Sequence, residues 1–167
     1  MCYGSTDLAA PLDDTLLAQL LAILPRGVPL YYSPLRRCAD LAQALAAALG
    51  CPAATGDARL AEMHFGAWEM RAWDDIPRDE VDAWNADLAG YRPGGGESVL
   101  QVARRVRAFR EELLERSCDE AIVVCHAGIM RLLLAAETAR SAEEMARCAA
   151  QQPHAIAYGA VRMLDCG

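Results

Sequence analysis

Residues 121–137 pass from a short apolar run, AIVVC, through His126 and Gly128 into GIMRLLLAAE. This direct strand-to-helix passage constrains the fold more than any other stretch. A second passage occurs at 28–50, where VPLYY leads through Ser33 and Pro34 into LRRCADLAQALAAALG. Pro29 places the first residues of that strand at an edge or outside the ladder. Ser33 reads as an N-cap, with Pro34 at the first helical position and Gly50 as the stop. Strands separated by helices call for a mainly parallel sheet with helices on both faces, a three-layer α/β/α fold. Parallel strands 28–32 and 121–125 finish at one edge, which brings Ser33–Arg37 and His126 together. Two helix N-termini point N–H groups and positive dipole ends there, an arrangement suited to an anion.

The remaining elements fit around this frame. Leu16, Leu17, Leu20, Leu21 and Leu24 recur at helical spacing behind Asp13 and Asp14, and Pro25 and Gly27 end that helix. Residues 51–68 read as loop with one extended piece, and a helix is expected over 78–89. After the breaker cluster 92–96, Ser98 opens a long helix with Val99, Val102, Val106, Phe109 and Leu113 on one face. Ser141 is expected to cap SAEEMARCAA, and 156–165 to form a final strand interrupted at Gly159. With no internal repeat or linker, residues 1–167 read as a single domain.

Bulk properties remove several function classes. The 167 residues carry a formal net charge of −7, against the basic footprint that a nucleic-acid or anionic-membrane partner requires. No apolar stretch approaches a membrane span, and no basic region precedes the apolar residues 16–24, so neither a span nor a signal peptide is expected. Seven cysteines with no CxxC pair argue against a disulfide framework or zinc site and point to a reducing, cytoplasmic setting.

Three residues carry the chemistry. Arg37 lies near the start of a helix at the strand edge, where a guanidinium fork matches phosphate oxygens. Glu62 sits in a non-periodic segment with Met63, Phe65, Gly66 and Trp68, and a carboxyl in apolar surroundings can serve as general acid. His126 ends a strand. Each has a plain alternative: a solvated Arg36–Arg37 pair, a loop carboxylate, a satisfied structural histidine. Gly94–Gly96 could approach a ligand or form a simple turn, and Glu97 and Ser98 could cap the next helix. Trp68, Trp73 and Trp84 read as packing residues, with Trp68 the one best suited to wall a pocket. His64 and His154 have no flanking pattern, and arginines 104, 105, 107 and 110 read as a salt-bridged helix face.

In order along the chain, SPLRRCADLA at 33–42, LAEMHFGAWEMRAWDDI at 60–76, PGGGES at 93–98 and VVCHAGIMRLLL resemble the histidine phosphatase superfamily, the phosphoglycerate-mutase-like enzymes. Cys38 and Leu41 stand where that signature usually has alanine and threonine. The Trp-Glu-Met-Arg wording at 68–71 and CYGSTDL at 2–8 are most similar to its α-ribazole phosphatase branch. The resemblance implies a phosphomonoesterase working through a phosphohistidine, without metal or cofactor. His126, Glu62 and Arg37 would be catalytic, and Ser33, Glu97, Ala127 and Trp68 would contact a small phosphomonoester. The family's opening motif, a strand ending in Arg-His-Gly that supplies the nucleophile, has no match in this sequence. A start assigned too late or a truncation is the expectation, with the first strand of the sheet absent. Alternatives are a phosphoglycerate mutase or broad-specificity phosphatase, or a non-catalytic phosphate-binding or interaction module whose exposed sheet edge pairs two copies into a homodimer.

Overall fold

Leu30 and Tyr31 are neighbours in sequence but pack into different cores, and that alternation sets the layering. A computed structural model describes residues 1–116, 119–151 and 156–164. Strands β1 (Leu30–Tyr32), β2 (Ala54–Gly56) and β3 (Ile122–Val124) form a parallel sheet in the order β2-β1-β3. The register pairs Leu30 with Ala54 and Ile122, and Tyr32 with Gly56 and Val124. Leu30 and Ile122 face helices α1 (Asp14–Ile23) and α2 (Arg36–Leu49), burying Leu20, Ala42, Leu45 and Leu49. Tyr31 faces α4 (Val99–Glu115), α5 (Ala127–Ala135) and α6 (Ala142–Gln151), among Val102, Val106, Phe109, Ile129 and Met145. Helix α3 (Arg78–Ala86) lies apart from both cores. The three-layer α/β/α arrangement is as the pattern predicts.

Local signals account for most boundaries. Asp13 Oδ1 accepts the N–H groups of Thr15 and Leu16 and caps α1. Ser98 and Gln101 form a reciprocal capping box on α4, Ser141 Oγ accepts from Glu144 N–H, and α2 stops at left-handed Gly50. Pro29 precedes β1 and has no N–H to give, yet its carbonyl accepts Ile122 N–H at 2.9 Å, so it joins the ladder as an acceptor.

Two expectations fail. Ser33 is not the cap of α2, which starts at Arg36 behind Leu35. Instead Ser33 prolongs β1, its N–H donating to Val124 O at 2.9 Å, while its hydroxyl accepts from Leu35 N–H. The extended backbone that completes this ladder bond delays the helix by two residues. The predicted C-terminal strand is also missing from the described residues 156–164, where a turn closed by Ala160 N–H on Ala157 O interrupts the chain. Asp165 lies outside the described residues.

Candidate phosphate site

Ser33 directly follows β1 and His126 stands two residues beyond β3, and both are buried, at 0% and 8% exposure. Arg37, the second residue of α2, donates from Nε to His126 Nδ1 at 3.2 Å. A guanidinium only donates, so Nδ1 is the acceptor and the neutral ring carries its proton on Nε2. That nitrogen lies 2.7 Å from Ser33 Oγ and donates to it. Burial, reinforced by the positive charges of Arg37 and Arg105, pushes the His126 imidazole down to about 3 from 6.5.

This depression has a measurable sign. Between pH 6.5 and about 3 the unfolded chain protonates this ring and the folded chain does not. Stability therefore falls as the pH drops through that window, by up to about 1.4 kcal/mol per pH unit. Melts from pH 7.5 downward should show the decline setting in near 6.5, with His126→Gln giving a shallower decline. Parallel curves for the two proteins would contradict a neutral buried ring.

Glu62 reaches the same place by another route. Its Oε1 accepts Met63 N–H at 3.0 Å, and its Oε2 accepts Gly128 N–H at 3.1 Å in the first turn of α5. A Cβ at position 128 would lie 2.5 Å from Glu62 Oε1, so glycine is what lets the carboxyl sit against the helix end. His126 is the N-cap of that helix. Ala127, next to it, has an N–H without an acceptor among the described residues. Cys38 Sγ lies 3.6 Å from both ring nitrogens of His126. Burial keeps Cys38 a thiol, raised to about 11, with Arg37 lowering and Glu62 raising its pKa.

Arg37, His126, Ser33, Glu62 and Ala127 are thus gathered at one sheet edge. The guanidinium is also tied to the N-terminal residues, donating from Nη1 to Thr6 O at 2.9 Å and from Nη2 to Gly4 O. These bonds use three of its five N–H groups, and two face no acceptor among the described residues. Hollows of about 60 and about 20 Å³ lie elsewhere, along α4, and neither touches Arg37, Glu62 or His126.

Two predicted binding residues stand apart from this group. Trp68, expected to wall a pocket, is 0% exposed. It belongs to a separate aromatic core with Cys2, Ile76, Trp84 and Tyr91, and its indole N–H donates to Glu80 at 2.6 Å. A ring with no free face cannot line a cavity. Glu97 is clasped by the Arg105 fork at 2.9 and 3.0 Å. Desolvation works to raise its pKa, but the Arg105 and His64 hydrogen bonds outweigh it and hold the carboxyl below its usual range.

Arg105, read from the sequence as one of a salt-bridged helix face, does pair with Glu97, but it also turns inward onto backbone. Besides Glu97, its Nη1 reaches the carbonyls of Arg59 and Ala61 at 2.7 Å. It thereby braces the segment leading into Glu62. Its place beside Val102 and Val106, on the flank of the apolar face of α4, is the signal that could have found it. The glycine loop approaches protein backbone rather than a ligand, since a Cβ on Gly96 would fall 2.1 Å from His64 O. His64 itself is exposed and accepts Gly66 N–H. His154 lies outside the described residues.

Residues 15–158 match the family described as histidine phosphatase superfamily (branch 1). The chain belongs to the histidine phosphatase superfamily. Its relatives are named phosphatases. A metal-independent phosphoserine phosphatase of Arabidopsis thaliana is 31% identical over 122 residues, 70% of this chain and 51% of that protein. An adenosylcobalamin/α-ribazole phosphatase of Salmonella typhimurium is 36% identical over 80 residues, 46% of this chain and 40% of that protein. The chain therefore spans about half the length, or less, of these curated relatives. Among solved structures, the α-ribazole phosphatase of Shigella flexneri superposes with a TM-score of 0.70 at 27% identity, covering 87% of this chain and 75% of that one. The parallel sheet and its flanking helices are those of this fold. No helix among the described residues is long and apolar enough to cross a membrane.

Proposed function

We propose that Arg37, His126, Glu62 and the N-terminus of α5 form the phosphate-holding part of a phosphomonoesterase site, with α-ribazole 5′-phosphate as substrate. The observation that carries this reading is the Arg37–His126 hydrogen bond at the strand edge, with Glu62 seated on Gly128 N–H in the first turn of the helix that His126 caps. Arg37 supplies the fixed positive charge and a fork for equatorial oxygens. The Ala127 N–H adds a donor at a positive helix end. His126 is neutral without ligand, and a dianion beside it favours the protonated ring, which then stabilises charge developing on phosphorus-bound oxygens. Glu62 donates a proton to the departing alkoxide and afterwards activates water in this reading. Ser33 fixes the ring from behind. Glu97 acts through Arg105 on the Glu62 segment, and Trp68 acts through the core.

The substrate assignment is supported by the wording at 68–71 and the Salmonella relative. A reducing, cytoplasmic compartment suits the five described cysteines, all free thiols. We read residues 1–167 as one domain acting on a small molecule.

The family's nucleophile motif has no counterpart in these 167 residues, so binding without turnover is expected of this chain. Orthovanadate should raise the melting temperature with the logarithm of its concentration above Kd, reaching about 2.7 kcal/mol of added stability at a hundred times Kd. p-Nitrophenyl phosphate should be hydrolysed no faster than in buffer. α-Ribazole 5′-phosphate should stabilise at lower concentration than phosphoserine. Absence of any oxyanion-dependent shift contradicts the site, and the reverse order of the two esters contradicts the substrate.

A further inference from the structure

Residues 4–6 stand between two opposite charges. Their N–H groups turn toward Glu69, with Gly4 and Thr6 donating to Oε2 at 3.1 and 3.2 Å and Ser5 donating to Oε1 at 3.1 Å. The Ser5 and Thr6 hydroxyls also donate to this carboxyl, and Phe65 N–H donates at 2.9 Å. The carbonyls of Gly4 and Thr6 turn the other way, onto the Arg37 guanidinium. One amide spans the gap directly: the Gly4–Ser5 peptide gives its N–H to Glu69 and accepts from Arg37 through its carbonyl. An anion at the N–H end of a peptide polarises it and makes its carbonyl a better acceptor.

The neighbouring residues reinforce the strap. Cys2 exchanges two backbone hydrogen bonds with Met70 and Arg71, at 2.7 and 2.8 Å. Asp7 Oδ1 takes the Arg36 N–H at 2.7 Å, supplying the cap that α2 lacks in its own sequence. Burial works to raise the Glu69 pKa, but the hydrogen bonds from Phe65, Thr6, Gly4 and Ser5 overcome it and hold the carboxyl at about 2. Glu69 is therefore an anion at neutral and mildly acidic pH.

We propose that Glu69 is a positioning residue for the phosphate site: through the Gly4–Thr6 strap it holds the Arg37 guanidinium in the orientation that bonds His126. The inference rests on reading Arg37 as the phosphate ligand, and it adds a residue 32 positions away that never needs to touch substrate. Glu69→Gln keeps the shape but sets an amide N–H₂ against backbone donors, so the strap loses acceptors it cannot replace.

The test uses the 15N-labelled chain and two readouts, solvent exchange of the Arg37 Nε–H and affinity for orthovanadate. Glu69→Gln should speed Nε–H exchange by about tenfold or more and weaken orthovanadate by about tenfold. In an Arg37→Ala background, Glu69→Gln should change the affinity less than about twofold, because the residue it acts through is gone. The double variant Ser5→Ala/Thr6→Val keeps the charge and removes two hydroxyl donors, and should move both readouts in the same direction by less. It decides the matter should Glu69→Gln not fold. Unchanged Nε–H exchange in a folded variant, or equal losses with and without Arg37, overturns the proposal. A wild-type chain that binds no orthovanadate refutes the phosphate reading, while the exchange measurement still decides the positioning role.

Discussion

Arg37→Ala weakens orthovanadate binding by about 10- to 100-fold, the scale of one or two charge-assisted hydrogen bonds in a partly desolvated site. Its size follows from the surroundings of the guanidinium. Burial holds His126 neutral in the free protein, so Arg37 is the fixed cation that first meets the anion. Three N–H groups of Arg37 are engaged by His126, Thr6 and Gly4, which fix its plane and leave two for the ligand. Arg37→Lys keeps the charge but loses the fork and the bond to Nδ1, so an intermediate loss is expected. Isothermal titration of the three proteins measures the series. A loss below threefold for the alanine variant would assign the guanidinium to tethering the N-terminal residues and nothing else.

Trp68→Ala should destabilise the fold by about 3–5 kcal/mol, the range for removing a fully buried aromatic side chain. For a chain of this length, that lowers the melting temperature by roughly 10 °C. The indole fills the centre of the Cys2–Ile76 core, meets Trp84 edge-on at 5.7 Å and donates to Glu80. Trp68→Phe should cost less, since most of the packing survives and only the Glu80 bond is lost. Orthovanadate affinity of the phenylalanine variant, measured below its melting temperature, should match the wild type within about twofold. A stable protein with selectively lost affinity would return Trp68 to the pocket wall.

These two residues also mark where sequence reading succeeds and where it stops. The meeting of Ser33, Arg37 and His126 was legible because parallel strands must end at one edge, and two apolar runs leading into helices define such strands. The partner of each group was not legible. Whether Arg37 bonds His126 or solvent depends on atoms 89 positions apart, and no local period records that pairing. Glu62 drew attention through its apolar neighbours and the family wording, while its seat on Gly128 emerged only in three dimensions. Trp68 read both as packing and as a pocket wall, because hydrophobicity and size suit the two equally, and the structure puts it in a core. The same limit hid Glu69 and Arg105. Both bind backbone groups of segments far away in the chain, and backbone hydrogen-bonding groups look alike at every position.

The central claim is that Arg37, His126 and the first turn of α5 make one oxyanion site. Following the His126 ring nitrogens by 15N NMR during an orthovanadate titration tests it most directly. Both resonances should move saturably in the wild-type chain and stay in place in Arg37→Ala at the same concentrations. Ring nitrogens that stay fixed while orthovanadate binds the wild-type chain would show that the anion sits elsewhere.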